Sequence, residues 1–151
     1  MEILKSDAAH KYLGRKIFRN LTRRGRIGYQ HRVQLAWAKF NHFRSVLTNK
    51  HVSIRLRFRL FNALVRPTIL FGLATLRMTQ TQVVRMDALQ RRMLKSIVGW
   101  VTVEGEDWRL TMCRMRGRIK AILLCQPVES WSKQLSKKQH GFATKIVKDK
   151  G

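Results

Sequence analysis

The chain has 151 residues, 32 of them Lys or Arg and 8 Asp or Glu, for a formal net charge of +24. A hydrophobic content of 44% is enough for a real core and excludes a disordered basic tail. The length suits one domain, with or without an appended tail. No acidic residue occurs between Asp7 and Asp87, and a field of this sign attracts polyanions at long range. Nucleic acid is therefore the expected partner. The cations are spread over several segments and not gathered on one amphipathic helix, which argues against a membrane surface. No stretch has the apolar length of a signal peptide or a membrane span.

In chain order, Tyr12 to Phe18 reads as a short strand that runs into the turn-prone stretch Arg23-Arg24-Gly25-Arg26-Ile27-Gly28. As a loop, that stretch would offer an anion three guanidinium groups and closely approachable backbone N–H groups. A merely solvated basic loop fits the composition equally well. Residues 1–28 form the first unit of the chain on this reading. A helix is predicted from about Tyr29 to Leu47, because Val33, Ala36, Trp37, Phe40, Phe43 and Leu47 recur at helical steps while Arg32, Lys39 and Ser45 lie away from them. Trp37 at that spacing belongs to a core and not to a base-stacking platform.

The most apolar stretch is Val52 to Leu76. Arg55 to Leu60 alternates with a period of two, as a strand would, but the length of the segment argues for a helix. Wound as a helix, it sets Ile54, Phe58, Phe61 and Val65 on one face and Arg55, Arg59, Asn62 and Arg66 on the other. Ser53 is the expected N-cap, and Pro67 should stop or kink the helix. Thr68 to Leu76 would then be a buried second arm. Arg57 points to the apolar side. Either its stem packs and its guanidinium snorkels to the rim, or it is a half-buried phosphate clamp.

Thr79 to Val98 is the cleanest helical pattern. Met86, Leu89, Met93 and Ile97 form its stripe, with Val83 and Leu94 beside it, and Arg85, Arg91, Arg92 and Lys95 gather opposite. Thr79 or Thr81 would cap its start and Gly99 its end. Glu104, Glu106 and Asp107 are the only acidic cluster. Negative charge at the start of a helix beginning near Trp108 accounts for it without a metal. In that helix Trp108, Met112, Met115, Ile119 and Ile122 align, and Pro127 ends the pattern. A last, marginal helix from about Ser130 sets Trp131, Leu135, Phe142 and Ile146 against Lys133, Lys137 and Lys148. Residues 29–128 thus make a helical second unit and 129–151 a basic C-terminal one. Cys113 and Cys125 read as packed thiols of a reduced intracellular protein, and no His and Cys spacing suggests zinc. The fold class is mainly α, a helical bundle with a short N-terminal β segment.

Three stretches taken in order resemble the C-terminal part of reverse transcriptases from non-LTR retrotransposons. They are His10-Lys11-Tyr12-Leu13-Gly14-Arg15-Lys16-Ile17, Val65-Arg66-Pro67-Thr68-Ile69-Leu70-Phe71-Gly72, and Leu89-Gln90-Arg91-Arg92-Met93-Leu94-Lys95-Ser96-Ile97-Val98-Gly99-Trp100. In that family a Tyr-Leu-Gly strand closes the palm. A helical thumb follows, with a Pro-x-Leu-Leu-Tyr-Gly segment and a Gln-Arg-Arg helix. The likeness covers most of residues 10–100, and Trp131 to Ala143 resembles a tryptophan-rich segment that often follows. Phe71 replaces the usual tyrosine, and Leu76 a common tryptophan. The resemblance implies that the fingers and the paired metal-binding aspartates of the palm lie upstream of Met1. The chain would then be an open reading frame begun at an internal methionine.

Two-metal phosphoryl transfer needs clustered carboxylates, and Asp7, Asp87, Asp107 and Asp149 are scattered singly. The resemblance therefore implies a non-catalytic end-of-palm, thumb and post-thumb fragment. It has no cofactor of its own, although its parent RNA-directed DNA polymerase would need Mg. Its partners would be a template–primer duplex, whether RNA, DNA or hybrid, and the upstream palm and fingers. The phosphate-binding candidates are Arg23, Arg24, Arg26, Arg55, Arg57, Arg59, Arg66, Arg91, Arg92 and Lys95. The alternative is a stand-alone basic RNA-binding or ribosome-associated structural protein. No nucleophile–base or metal constellation supports an enzyme in its own right.

Overall fold

Most of the apolar stripes read from the sequence meet in one core in the computed structural model, which describes residues 10–12, 15–17 and 21–148, with side chains for 24–141 and 143–145. Two three-residue strands, β1 (His10–Tyr12) and β2 (Arg15–Ile17), pair antiparallel with Lys11 opposite Lys16. The single strand expected over Tyr12 to Phe18 is thus two, and Leu13, Gly14 and Phe18 of that expectation lie outside the described residues. The elements that follow are helical. The helices are α1 (Leu21–His42), α2 (Arg44–Leu47), α3 (Ile54–Leu70), α4 (Gln80–Val98), α5 (Trp108–Cys125) and α6 (Trp131–Lys148). A single 3-10 turn, Leu73–Thr75, lies between α3 and α4.

The first correction concerns the basic glycine stretch. It is not a loop but the opening turns of α1. Its glycines serve packing: a Cβ on Gly25 would stand 2.8 Å from the Arg77 carbonyl oxygen, and one on Gly28 would stand 2.8 Å from Cδ1 of Leu76. Bare backbone there lets α1 lie close against the segment leading into α4. The helix expected to run on to Leu47 is interrupted at Phe43, between α1 and α2, although N–H groups still reach back one turn across the break. Ala36, Phe40 and Leu47 are buried as the spacing predicts, but Arg32 is buried too, its guanidinium carbon 4.6 Å from the centre of the Phe71 ring.

Helix α3 begins where expected, with the Ser53 hydroxyl accepting from Leu56 N–H at 3.3 Å. Pro67 does not stop it. The helix runs one more turn to Leu70, and the exposed positions of Ala63 and Pro67 let water meet the carbonyl that proline leaves without a donor. Thr68 to Leu70 is therefore the end of α3 and not a second arm. Gly72 then takes a positive φ of 69°, where a side chain would be strained, and the chain turns into Leu73–Thr75. Ile69, Leu70 and Leu73 are buried, whereas Phe71, expected in the interior, is half exposed.

Helix α4 is closed at both ends as its sequence predicts. The Thr79 hydroxyl and the Gln82 side chain form a reciprocal capping box, and Gly99 ends the helix with a φ of 79°. Met86, Met93, Leu94 and Ile97 are buried against Phe58, Phe61 and Val65 of α3 and Phe40 of α1 in one core. Helix α6 completes that core. Trp131 is fully buried, its ring stacked on Phe61 at 5.8 Å and 18°. Gln90, a polar residue of α4 buried at 3% exposure, accepts from Trp131 N–H and donates to the Glu129 carbonyl. Asp87 accepts from the N–H and hydroxyl of Ser132, placing a carboxylate at the positive end of α6.

Helix α5 stands further off and reaches the core through Ile119, Ile122 and Leu123. Its apolar stripe is only partly covered. Met115 is buried, but Trp108, expected in the stripe, is 65% exposed and stacks on the less exposed Trp100 at 5.7 Å. Cys113 and Cys125 are exposed free thiols and not packed ones. Asp107 caps α5 through Arg109 N–H. Glu106 instead takes a bidentate grip from Arg114, whose Nη2 also donates to the Val101 carbonyl at 2.7 Å and so fastens the loop before the helix. The side chains of Phe142 and Ile146, of the predicted last stripe, and of Lys148, expected opposite it, lie outside the described ones.

Candidate nucleic-acid interface

Helical spacing makes α3 the best-ordered cationic surface. Arg55, Arg59 and Arg66 are exposed along one side, and Phe58, Phe61 and Val65 are buried on the other. At a rise of 1.5 Å per residue these arginines span about 16 Å, a length over which a duplex presents several phosphates. Beside Arg55 and Arg59 lies a shallow hollow of about 120 Å³, also bounded by Phe58, Asn62, Gln126, Pro127 and Val128. Oδ1 of Asn62, a residue beside this hollow, is buried without a hydrogen-bond partner. At the far end Arg66 acts electrostatically on Glu129. The Glu129 carboxyl is held below its usual range first by a hydrogen bond from Lys137, and Lys133 and Arg66 add to the effect.

Arg57 leaves this set. It is 8% exposed, and Nη1 donates to the Ile97 carbonyl at 2.6 Å, in the last turn of α4. Burial lowers its pKa, and the neighbouring Arg118 lowers it further. The snorkelling reading is corrected: the guanidinium does not reach the rim but is buried and donates to a carbonyl at an open helix end.

The other candidates divide between two further places. Arg24 is half-buried beside a hollow of about 760 Å³ that also involves Gly25, Thr75, Leu76, Arg77, Met78 and Thr79, and Arg26 is exposed one position beyond Gly25. The side chain of Arg23 lies outside the described ones. On α4, Arg91, Arg92 and Lys95 are exposed, with the Arg92 guanidinium 6.0 Å from the centre of the half-buried Trp37 ring. Arg85, on the same helix, opposes the rise that burial imposes on the Tyr29 hydroxyl pKa. The fold therefore brings Arg55, Arg59 and Arg66 together on one helix face and leaves the α1 and α4 groups on elements of their own.

Sequence reading missed Arg116 and Lys120, exposed on α5 and sharing a groove with Lys95. Their signal was present in the one-in-two run of cations from Arg114 to Lys120. Among the described residues, Arg114 forms an ion pair with Glu106 and Lys137 with Glu129. No group of three or more His, Cys, Asp or Glu is placed to hold a metal ion among those residues, and none of their helices is long and apolar enough to cross a membrane.

These features define a mainly helical domain whose outward helix faces are rich in charge of one sign. Comparison with protein-family models, curated proteins and solved structures finds no match.

Proposed function

We propose that the chain binds a nucleic-acid duplex through its phosphates, as the non-catalytic thumb and post-thumb portion of a reverse transcriptase from a non-LTR retrotransposon. The observation that carries this reading is α3, where Arg55, Arg59 and Arg66 stand exposed in register opposite the buried Phe58, Phe61 and Val65. A surface of that kind meets phosphates without reading bases. The order of the Tyr-Leu-Gly, Arg-Pro-Thr and Gln-Arg-Arg stretches supports assignment to this class of polymerase. The palm and fingers of such a polymerase would supply the aspartates and Mg.

The test is a salt titration of duplex binding. Wild-type affinity should be sequence-tolerant and fall steeply with salt, because counterions are released from the phosphates. Replacing Arg55, Arg59 and Arg66 together by Ala should weaken all sequences alike. It should also flatten the slope of log K against log salt by about 0.9 for each phosphate that is no longer neutralised on a B-form duplex. A triple variant that keeps both affinity and slope removes α3 from the interface.

A further inference from the structure

Helix α5 carries exposed apolar surface that duplex binding leaves unused. Lys95 of α4 and Arg116, Ile119, Lys120, Leu123 and Leu124 of α5 bound an open groove of about 380 Å³. Ile119 and Leu123 form its half-buried floor, and Leu124 stands 73% exposed at its edge. Arg116, Lys120 and Leu124 make one row at four-residue steps and Ile119 and Leu123 another, the ridges between which a further helix seats. Lys95, Arg116 and Lys120 supply three exposed cations, and no carboxylate lines the groove.

We propose that this groove docks an acidic amphipathic helix of a partner protein, its apolar anchors on Ile119, Leu123 and Leu124 and its carboxylates on Lys95, Arg116 and Lys120. Charge complementarity selects this occupant. Of the chain's five described acidic residues, four, Asp87, Glu106, Asp107 and Glu129, are engaged with Ser132, Arg114, Arg109 and Lys137. A second copy would bring another +24 of like charge against the same cations. Nucleic acid would satisfy the cations but gain little from the floor, which is aliphatic and offers no ring for a base to stack on. An amphipathic helix with anchors at three- and four-residue steps satisfies both surfaces at once.

The probe is a fluorescein-labelled synthetic peptide with leucines at i, i+3, i+4 and i+7 and glutamates elsewhere. It is compared, on the full chain, with a peptide of the same composition whose leucines are scattered. At about 0.15 M salt, where surface attraction is already screened beyond about 8 Å, the amphipathic peptide should bind at least about tenfold more tightly than the scattered one. Leu124→Ser, a change at an exposed position, should erase most of that preference and leave blunt-duplex affinity unaltered. Equal binding of the two peptides overturns the proposal, as does a preference that Leu124→Ser leaves intact. Displacement of the peptide by a blunt duplex whose own affinity falls in Leu124→Ser overturns it in favour of nucleic acid.

Discussion

Arg57 lies beneath the last turn of α4, where a cation complements both an open carbonyl and the negative end of the helix dipole. Replacing it with Met should keep most of the packing and leave the Ile97 carbonyl buried without a donor. The expected loss is about 1–3 kcal/mol in urea unfolding. The salt slope of duplex binding should not change, which separates Arg57 from Arg55 and Arg59. Helical spacing alone was enough to point Arg57 inward. Its partner was not legible, because Ile97 is 40 positions away and nothing local marks a carbonyl as open. Glu106 allows a pH test at the same scale. The hydrogen bond from Arg114, aided by Thr111 and by charge, outweighs burial and holds its carboxyl below the ordinary carboxylate range. Its contribution to stability is therefore present above the ordinary carboxylate range and is lost as pH falls through the lower, folded value. Glu106→Gln should lower the melting temperature at pH 7, and the gap from wild type should close in strong acid.

At the scale of elements, the glycines of α1 and α5 should respond with opposite signs. Gly25→Ala raises helix propensity but pushes a methyl group to 2.8 Å from a backbone oxygen that cannot swing aside. Net destabilisation is expected, despite a propensity gain of about 1 kcal/mol. Gly117→Ala meets nothing within 4 Å and should stabilise by about that amount. Paired melting curves of the two variants check both signs. The same contrast explains which elements could be read from sequence. The stripe of α4, its Thr79 cap and its Gly99 terminus are local patterns, and all three stand where the residues indicate. The start of α1 is not local. Its glycines resemble a turn until Leu76 and Arg77 are brought against them. Trp108 misled in the other direction: it keeps the helical spacing of a core residue on a helix whose first turn lies beyond the core.

Over the whole molecule, the C-terminal segment is part of the core and not an appendage. Its residues alone showed an amphipathic pattern, but only Phe61, Asp87 and Gln90 reveal what that pattern packs on. Trp131→Ala should cost about 3–5 kcal/mol and should strip amide protection from α6 before α3, as hydrogen exchange would report. Of the cationic surface, the α3 face was legible because one helix holds it. The groove between α4 and α5 was not, because it forms only when two helices meet. The stacking of Trp131 on Phe61 also sets an order of events during synthesis. Helices α1 to α4 leave the ribosome with the ring of Phe61 still wet, and its cover arrives only after α5 has been made. Until then the nascent chain shows an apolar surface inside a cloud of positive charge, close to ribosomal RNA.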